Sequence, residues 1–326
     1  MNGLLNKIGN TRLGRYLGKK YYKKGTILCY HRVMPHLDVL NDKSPGRGLA
    51  ISDKCFEGHL EHLAKNYNVI SMDKMYDHIL SDSDEYFVSI TFDDGYKDNL
   101  NYALPILEKY NLPAIIYIVT KHPQGDGWIW WYELEDHIMN NDHINFSFRE
   151  YSIESSLKTL KQKYSCFDDL RNFVIKLNQD DQKKFLSKLS KSEKRKDYSS
   201  LMLTWDEIKL LDKHQLITIG AHTHTHANLK SLDKNSAIAE MKKSKVFLEE
   251  ELKHSINHFA YPFGSEEQVG EKVANYPEKL NFNTAVSTNY GFVETNNLLL
   301  INRISLGWTS TVDELESNLN GFAQVL

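Results

Sequence analysis

Residues 114–119 read AIIYIV, an unbroken apolar run that begins just after the helix-breaking Asn111-Leu112-Pro113. A strand with one wet face would alternate apolar and polar positions; a continuous run marks a strand covered on both faces, as in a parallel sheet flanked by helices. Its neighbours repeat the theme. Residues 25–30 (GTILCY), 86–92, 216–220, 256–260, 282–286 and 298–304 are strand-like. Between them lie helix-like stretches at 53–66, with Phe56, Leu60 and Leu63 on one face, and at 98–110, 205–213 and 233–253. This β-α-β rhythm argues for an α/β protein, either a parallel barrel or a doubly wound sheet.

The rhythm breaks at 122–202, which holds Trp128, Trp130 and Trp131 followed by polar, Lys-rich sequence. It reads as a mostly helical insertion on one domain spanning 25–326. The segment before that domain, residues 1–24, carries seven Lys or Arg and no acidic residue, with apolar residues at near-helical spacing. Two readings stay open for it: peripheral contact with an anionic membrane surface, or a solvated helix packing on the domain.

Composition narrows the rest. A formal net charge of -3 gives no sign of bulk nucleic-acid binding. Three cysteines, Cys29, Cys55 and Cys166, suit a reducing compartment better than a disulfide framework. No apolar run approaches the roughly 20 residues of a membrane span, and the start lacks the apolar core of a secretory signal. The expectation is a cytoplasmic protein, peripheral at the inner face of the membrane if residues 1–24 bind there.

In a parallel α/β fold, ligands gather where the strands end. Residues 91–95, TFDDG, put two adjacent carboxylates, Asp93 and Asp94, at such an end. Paired carboxylates repel when both are ionised, so they need a cation or a shared proton. Residues 222–226, HTHTH, follow another strand. His222 and His226 share a face if that backbone is helical; His224 is the spare member, and it points away from the other two if the turn is extended. Two neutral imidazoles and a carboxylate make a catalytic zinc-type donor set with open positions. His31 and Arg32 follow the first strand, and residues 261–264 (YPFG) follow a fourth. Each feature alone is ordinary: Asp-Asp-Gly is a common turn, a histidine run can be incidental, and tryptophans usually pack. Their convergence on one rim points to a metal-dependent hydrolase.

These motifs resemble those of the polysaccharide deacetylases (NodB-homology, carbohydrate esterase family 4), over roughly residues 25–120 and 203–306. The resemblance rests on TFDDG at 91–95, on H-[ST]-x-x-H at 222–226, and on residues 260–264 in place of an Arg-x-Pro-Tyr-type segment. It implies an irregular (β/α)7 barrel and removal of N-acetyl groups from N-acetylhexosamine residues of a glycan or lipid-linked glycan intermediate. By the same resemblance Asp93 is the general base, and Asp94, His222 and His226 hold a divalent metal. Zn²⁺ suits those donors best, with Co²⁺, Ni²⁺ or Fe²⁺ fitting comparable ones. The Phe263 N–H helps to hold the oxyanion, and Trp131 can stack on a sugar ring.

Two departures stand out. Ala260 occupies the place of the third-motif arginine, and no Leu-x-His segment lies near the C-terminus. The pattern is similar to the poly-N-acetylglucosamine deacetylase branch, whose acid histidine sits in an N-terminal Tyr-His segment; here that is His31. Arg303 is assigned as the stand-in for the missing arginine and grouped with the substrate-contacting residues. Three other readings compete: a metal-dependent hydrolase of a small cyclic amide, a non-catalytic glycan-binding protein, and a metal-handling protein using the histidines alone.

Overall fold

The computed structural model describes residues 24–81, 83–293 and 297–321; residues 1–23, most of the basic segment, lie outside them. Seven parallel strands form a closed barrel: β1 (Gly25–Tyr30), β2 (Phe87–Phe92), β3 (Ala114–Ile118), β4 (Ile217–Ala221), β5 (His258–Ala260), β6 (Thr284–Tyr290) and β7 (Ile301–Ser305). Their order around the barrel is β1-β7-β6-β5-β4-β3-β2, and β1 closes it by pairing with β2 from Gly25↔Phe87 to Tyr30↔Phe92. The alternation read from the sequence is therefore a barrel and not a doubly wound sheet. It is irregular: a two-residue strand, Asn68–Val69, joins β2 at Phe87 and Val88, while β3 joins it further on, at Ile90 to Phe92.

Alternation along each strand separates two apolar clusters. Ile27, Phe87, Ile115, Tyr117 and Val286 pack together inside the barrel. Leu28, Tyr30, Val88, Ile90 and Ile116 point outward and pack against helix residues such as Phe56, Leu60, Leu107 and Ile208. The strands thus have no wet face, which is why 114–119 shows no polar alternation. Met72 and Met75 of the helix Met72–Leu80 join the inner cluster.

The helices begin where side chains can take up their free N–H groups. Ser52 Oγ accepts from Cys55 N at the start of Asp53–Asn66, and Thr204 and Glu207 form a reciprocal capping box on Trp205–Asp212. The expected helix at 98–110 opens instead with a π turn, Asn99–Ala103, before Leu104–Tyr110.

The 122–202 segment contributes three helices, α1 (Trp130–Met139), α2 (Leu160–Val174) and α3 (Gln179–Ser190). It also holds an antiparallel hairpin, His143–Phe148 with Tyr151–Ser156, where helix was expected. Ile144, Phe146 and Phe148 are buried and the residues between them exposed, a period of two rather than 3.6. These elements share an aromatic core with Trp130 and Phe185. No helix among the described residues is long and apolar enough to cross a membrane.

Candidate active site

The inward alternation of β2 carries past its end. Thr91 faces the barrel interior and Asp93, two positions on, does the same, with its N–H bonded to Tyr30 O at 3.0 Å. Arg303 of β7 meets Asp93 there: Nη1 donates to Oδ1 at 2.8 Å and Nη2 to Oδ2 at 2.6 Å. Two further donors are used, Nε on Ser287 O at 2.7 Å and Nη1 again on Thr91 Oγ1 at 3.0 Å. Arg303 is fully buried. It was expected both as the stand-in for the missing arginine and among the substrate contacts; it lies behind Asp93, outside the cavity lining, with four of its five N–H donors engaged. Cys29 Sγ adds a contact at 3.6 Å to Asp93 Oδ2.

Asp94 turns the other way because its backbone leaves the strand conformation, with φ 74°. Its Oδ1 lies 3.4 Å from His222 Nε2 and 3.3 Å from His226 Nε2. The two histidines do not converge as neighbours on a helix. Residues 222–226 form a loop with left-handed backbone at Thr223 (φ 63°) and His226 (φ 56°). His224 points away, stacked on Phe247 and hydrogen-bonded to Thr120 Oγ1 at 3.0 Å. Burial pushes it down to about 4, so it stays neutral there.

Left-handed φ at non-glycine residues is uncommon and costs about 1–3 kcal/mol. Asp94, Thr223, His226 and Phe263 (φ 61°) all adopt it within this one site. Gly264 follows with φ 62°, where an added Cβ would lie 2.7 Å from Thr288 N. The Tyr-Pro-Phe-Gly turn is thereby pressed against β6, and Thr288 Oγ1 donates to Phe263 O at 2.6 Å. No acceptor meets the Phe263 N–H among the described residues. Its ring lies 4.6 Å from that of His226, and Trp131 lies 4.9 Å from the same imidazole.

His31 follows β1 and is held from behind. Asn99 Nδ2 donates to its carbonyl at 2.8 Å, and Asp98 accepts from Val33 N at 3.1 Å and Arg32 Nε at 2.8 Å. The π turn after Asp98 is what presents Asn99 to this segment. A ring nitrogen of His31, an Asp93 oxygen and Cys29 Sγ lie within 4.8 Å of one another. That group makes a poor metal site, because burial pushes the Cys29 thiol far up and Arg303 already occupies Asp93.

The donor set of Asp94, His222 and His226 does fit a metal. Ligand atoms from the three lie within 4.8 Å of one another. Asp94 Oδ1 is buried and has no hydrogen-bond partner, an arrangement costly without a cation. His222 Nδ1 bonds Ala260 O at 2.7 Å, leaving Nε2 with its lone pair toward Asp94. Burial would raise both carboxylates, yet each is held below its usual range. For Asp94 the imidazoles of His222 and His226 outweigh burial; for Asp93 the Arg303 charge does.

These groups line a cavity of about 400 Å³ together with Trp131 and Phe263. Sequence reasoning missed part of its wall: Pro45, Gly46 and Gly48 from the loop after β1, Thr288, residues 305–307, and Phe167, Asp168 and Arg171 of α2. The Pro- and Gly-containing loop was visible as irregular; nothing in its spacing tied it to the carboxylates.

A family model described as polysaccharide deacetylase matches residues 81–285. The protein YxkH of Bacillus subtilis (strain 168), whose name assigns it to the same family, is 35% identical over 98 residues, 29% of this chain. The chain matches about a third (32%) of that relative's length. Among solved structures, the deacetylase PplD of Streptococcus pyogenes, in complex with acetate, superposes with a TM-score of 0.60 at 20% identity, over 91% of this chain and 98% of that one. IcaB from Ammonifex degensii gives 0.56 at 15%, over 91% and 97%. A de-N-acetylase from Aggregatibacter actinomycetemcomitans gives 0.57 at 14%, over 90% and 99%. At these identities the structures share a fold, and the family match covers well over half of the sequence. This chain belongs to the polysaccharide deacetylase family.

Proposed function

We propose that this chain is a metal-dependent hydrolase that removes N-acetyl groups from N-acetylhexosamine residues of a glycan or lipid-linked glycan. The observation that carries the reading is a partnerless, imidazole-flanked Asp94 beside an Asp93 whose two oxygens are both gripped by Arg303. Asp94, His222 and His226 would hold the cation, Zn²⁺ by preference and Co²⁺, Ni²⁺ or Fe²⁺ comparably. Such an ion, when bound, polarises an amide carbonyl and brings the pKa of water down to about 7.

The chain's own residues supply the rest. Asp93, kept ionised by Arg303, takes a proton from the attacking water. The Phe263 N–H donates to the oxygen on which negative charge gathers. His31 gives a proton to the departing nitrogen as the C–N bond breaks, releasing acetate and an amine. Trp131 offers a ring against which a sugar can stack. A binding-only role gives no reason to orient a buried carboxylate with a bidentate guanidinium, so Arg303 supports catalysis.

The test is acetate release from a panel of free and lipid-linked N-acetylhexosamine oligomers, with and without added metal. Wild type should release acetate and Asp93→Asn should not. Glycan binding with no acetate, in metal-loaded protein, would replace the hydrolase with a binding protein.

A further inference from the structure

Lys163 is the one buried cation among the described residues of the 122–202 segment, and it is fully partnered. Lys163 Nζ donates to the carbonyls of Ile138, Met139 and Asn141 at 2.7 to 2.9 Å. Even the exposed Arg149 pairs with Asp181. Arg171 differs. It is half-buried and lines the candidate catalytic cavity, yet among the described residues its guanidinium makes no hydrogen bond or ion pair. Burial depresses it, and only the charge of Asp168, an exposed residue three positions earlier, offsets that. Its five donors have no protein acceptor, and their partial withdrawal from water favours a ligand that would accept from them.

The position is fixed rather than incidental. Helix α2 starts with a capping box between Thr159 and Gln162. Tyr164 on the same helix bonds Lys43 O at 3.3 Å and receives Arg47 over its ring at 5.2 Å, tying α2 to the Pro45–Leu49 loop. Phe167, one turn before Arg171 and on the same face, lines the same cavity.

Of the carboxylates that line the cavity, Asp93 is paired with Arg303, Asp94 faces His222 and His226 as part of the donor set assigned above to a cation, and Asp168 is exposed and makes no ion pair with Arg171. A planar guanidinium matches carboxylate or phosphate through two parallel bonds. We infer that Arg171 is a specificity-determining residue that binds an oxyanion of the substrate. The glycan would then carry a carboxylate or phosphate within reach of the N-acetyl sugar being hydrolysed. This rests on the deacetylase reading above.

The test compares acetate release from three substrate pairs. The first is an N-acetylglucosamine–glucuronate oligomer against its methyl ester, the second an N-acetylglucosamine disaccharide phosphate against the unphosphorylated disaccharide. The third, a neutral oligomer at two lengths, is the control for size. Wild type should favour one anionic member by about 10–100-fold in kcat/KM, the worth of a charge-assisted pair. The arm that shows it separates carboxylate from phosphate. Arg171→Gln should bring that ratio close to one, through KM rather than kcat, and Arg171→Lys should keep part of it. Equal rates within every pair for wild type, or a ratio that survives Arg171→Gln, would overturn the inference while leaving the deacetylase intact. Acetate from no substrate at all would overturn both. The wild-type comparison needs no variant to fold.

Discussion

Arg303 holds both oxygens of Asp93, at 2.8 and 2.6 Å, across a sequence separation of 210 residues. The two meet because β1 pairs with both β2 and β7, so inward-facing residues from either side fill the same barrel layer. Ala260, at the end of β5, carries no group that could make this contact, and Arg303 makes it from β7.

Arg303→Gln should therefore damage activity and stability together. Loss of a buried partner costs about 3–5 kcal/mol because the surviving carboxylate stays uncompensated, and turnover should fall on the order of 10²-fold. The sign of the pH effect is fixed. Burial raises Asp93 and Arg303 lowers it, so without Arg303 the acidic limb of the rate profile moves to higher pH. In wild type the pair's stabilisation is present above the ordinary carboxylate range and lost as pH falls through the depressed value. An Asp93→Asn/Arg303→Met double variant should recover melting temperature without activity. An unmoved acidic limb in Arg303→Gln would separate the arginine from the base.

Metal removal tests the other carboxylate. Chelation should lower the melting temperature and abolish acetate release, and added Zn²⁺ should restore both. With free metal about 100 times its Kd the expected stabilisation is roughly 2.7 kcal/mol. Asp94→Asn should abolish the thermal response, since Asp94 Oδ1 is the buried oxygen that no protein group satisfies. A chelator-insensitive melt together with no metal in elemental analysis would reject the site.

His31→Ala should lower kcat by roughly 10²–10⁴-fold with bound metal near wild type. The backbone around His31 is secured by Asn99 and Asp98, so truncating the ring should leave the segment in place. Loss of metal in step with activity would make His31 a ligand; unchanged turnover would remove it from the mechanism.

Much of this was legible in the sequence, for reasons that also mark where legibility ends. Strands such as Ala114–Ile118 announce themselves because burial on both faces removes all polar residues. The helix at 53–66 shows by the spacing of Phe56, Leu60 and Leu63, and the structure starts it at Ser52, whose oxygen takes up a free N–H. Asp93, Asp94, His222 and His226 could be brought together because strand ends in a parallel sheet share one rim. Spacing said nothing about which distant residues meet. Arg303 came forward only through the resemblance; its contact with Asp93, and the approach of Gly46 and Arg171 to the cavity, depend on barrel closure and on how the 122–202 segment packs. The helical condition on 222–226 is not met: left-handed backbone at Thr223 and His226 gives the same convergence by another path, with His224 turned away.

The loop at Gly46 yields the last prediction. Glu135 of α1 accepts a hydrogen bond from Gly46 N, and Gly46 lines the cavity. Burial raises this carboxyl from 4.5 to about 7, and the Gly46 bond opposes the rise only in part. Between those values the folded chain keeps a proton that the unfolded chain has lost, so this residue's contribution to stability fades as pH rises from 4.5 to 7. The span corresponds to about 3 kcal/mol. The buried histidines His59, His122 and His224 are pushed down to about 4 and act in the opposite sense, stabilising the fold as pH rises through the same range. Only the difference between variants isolates Glu135. Glu135→Gln keeps an oxygen for Gly46 N and cannot ionise. Its melting temperature should be indistinguishable from wild type near pH 4.5 and exceed it near pH 7.5. Parallel melting curves across that range would show that the carboxyl titrates at its ordinary value and that burial there is incomplete.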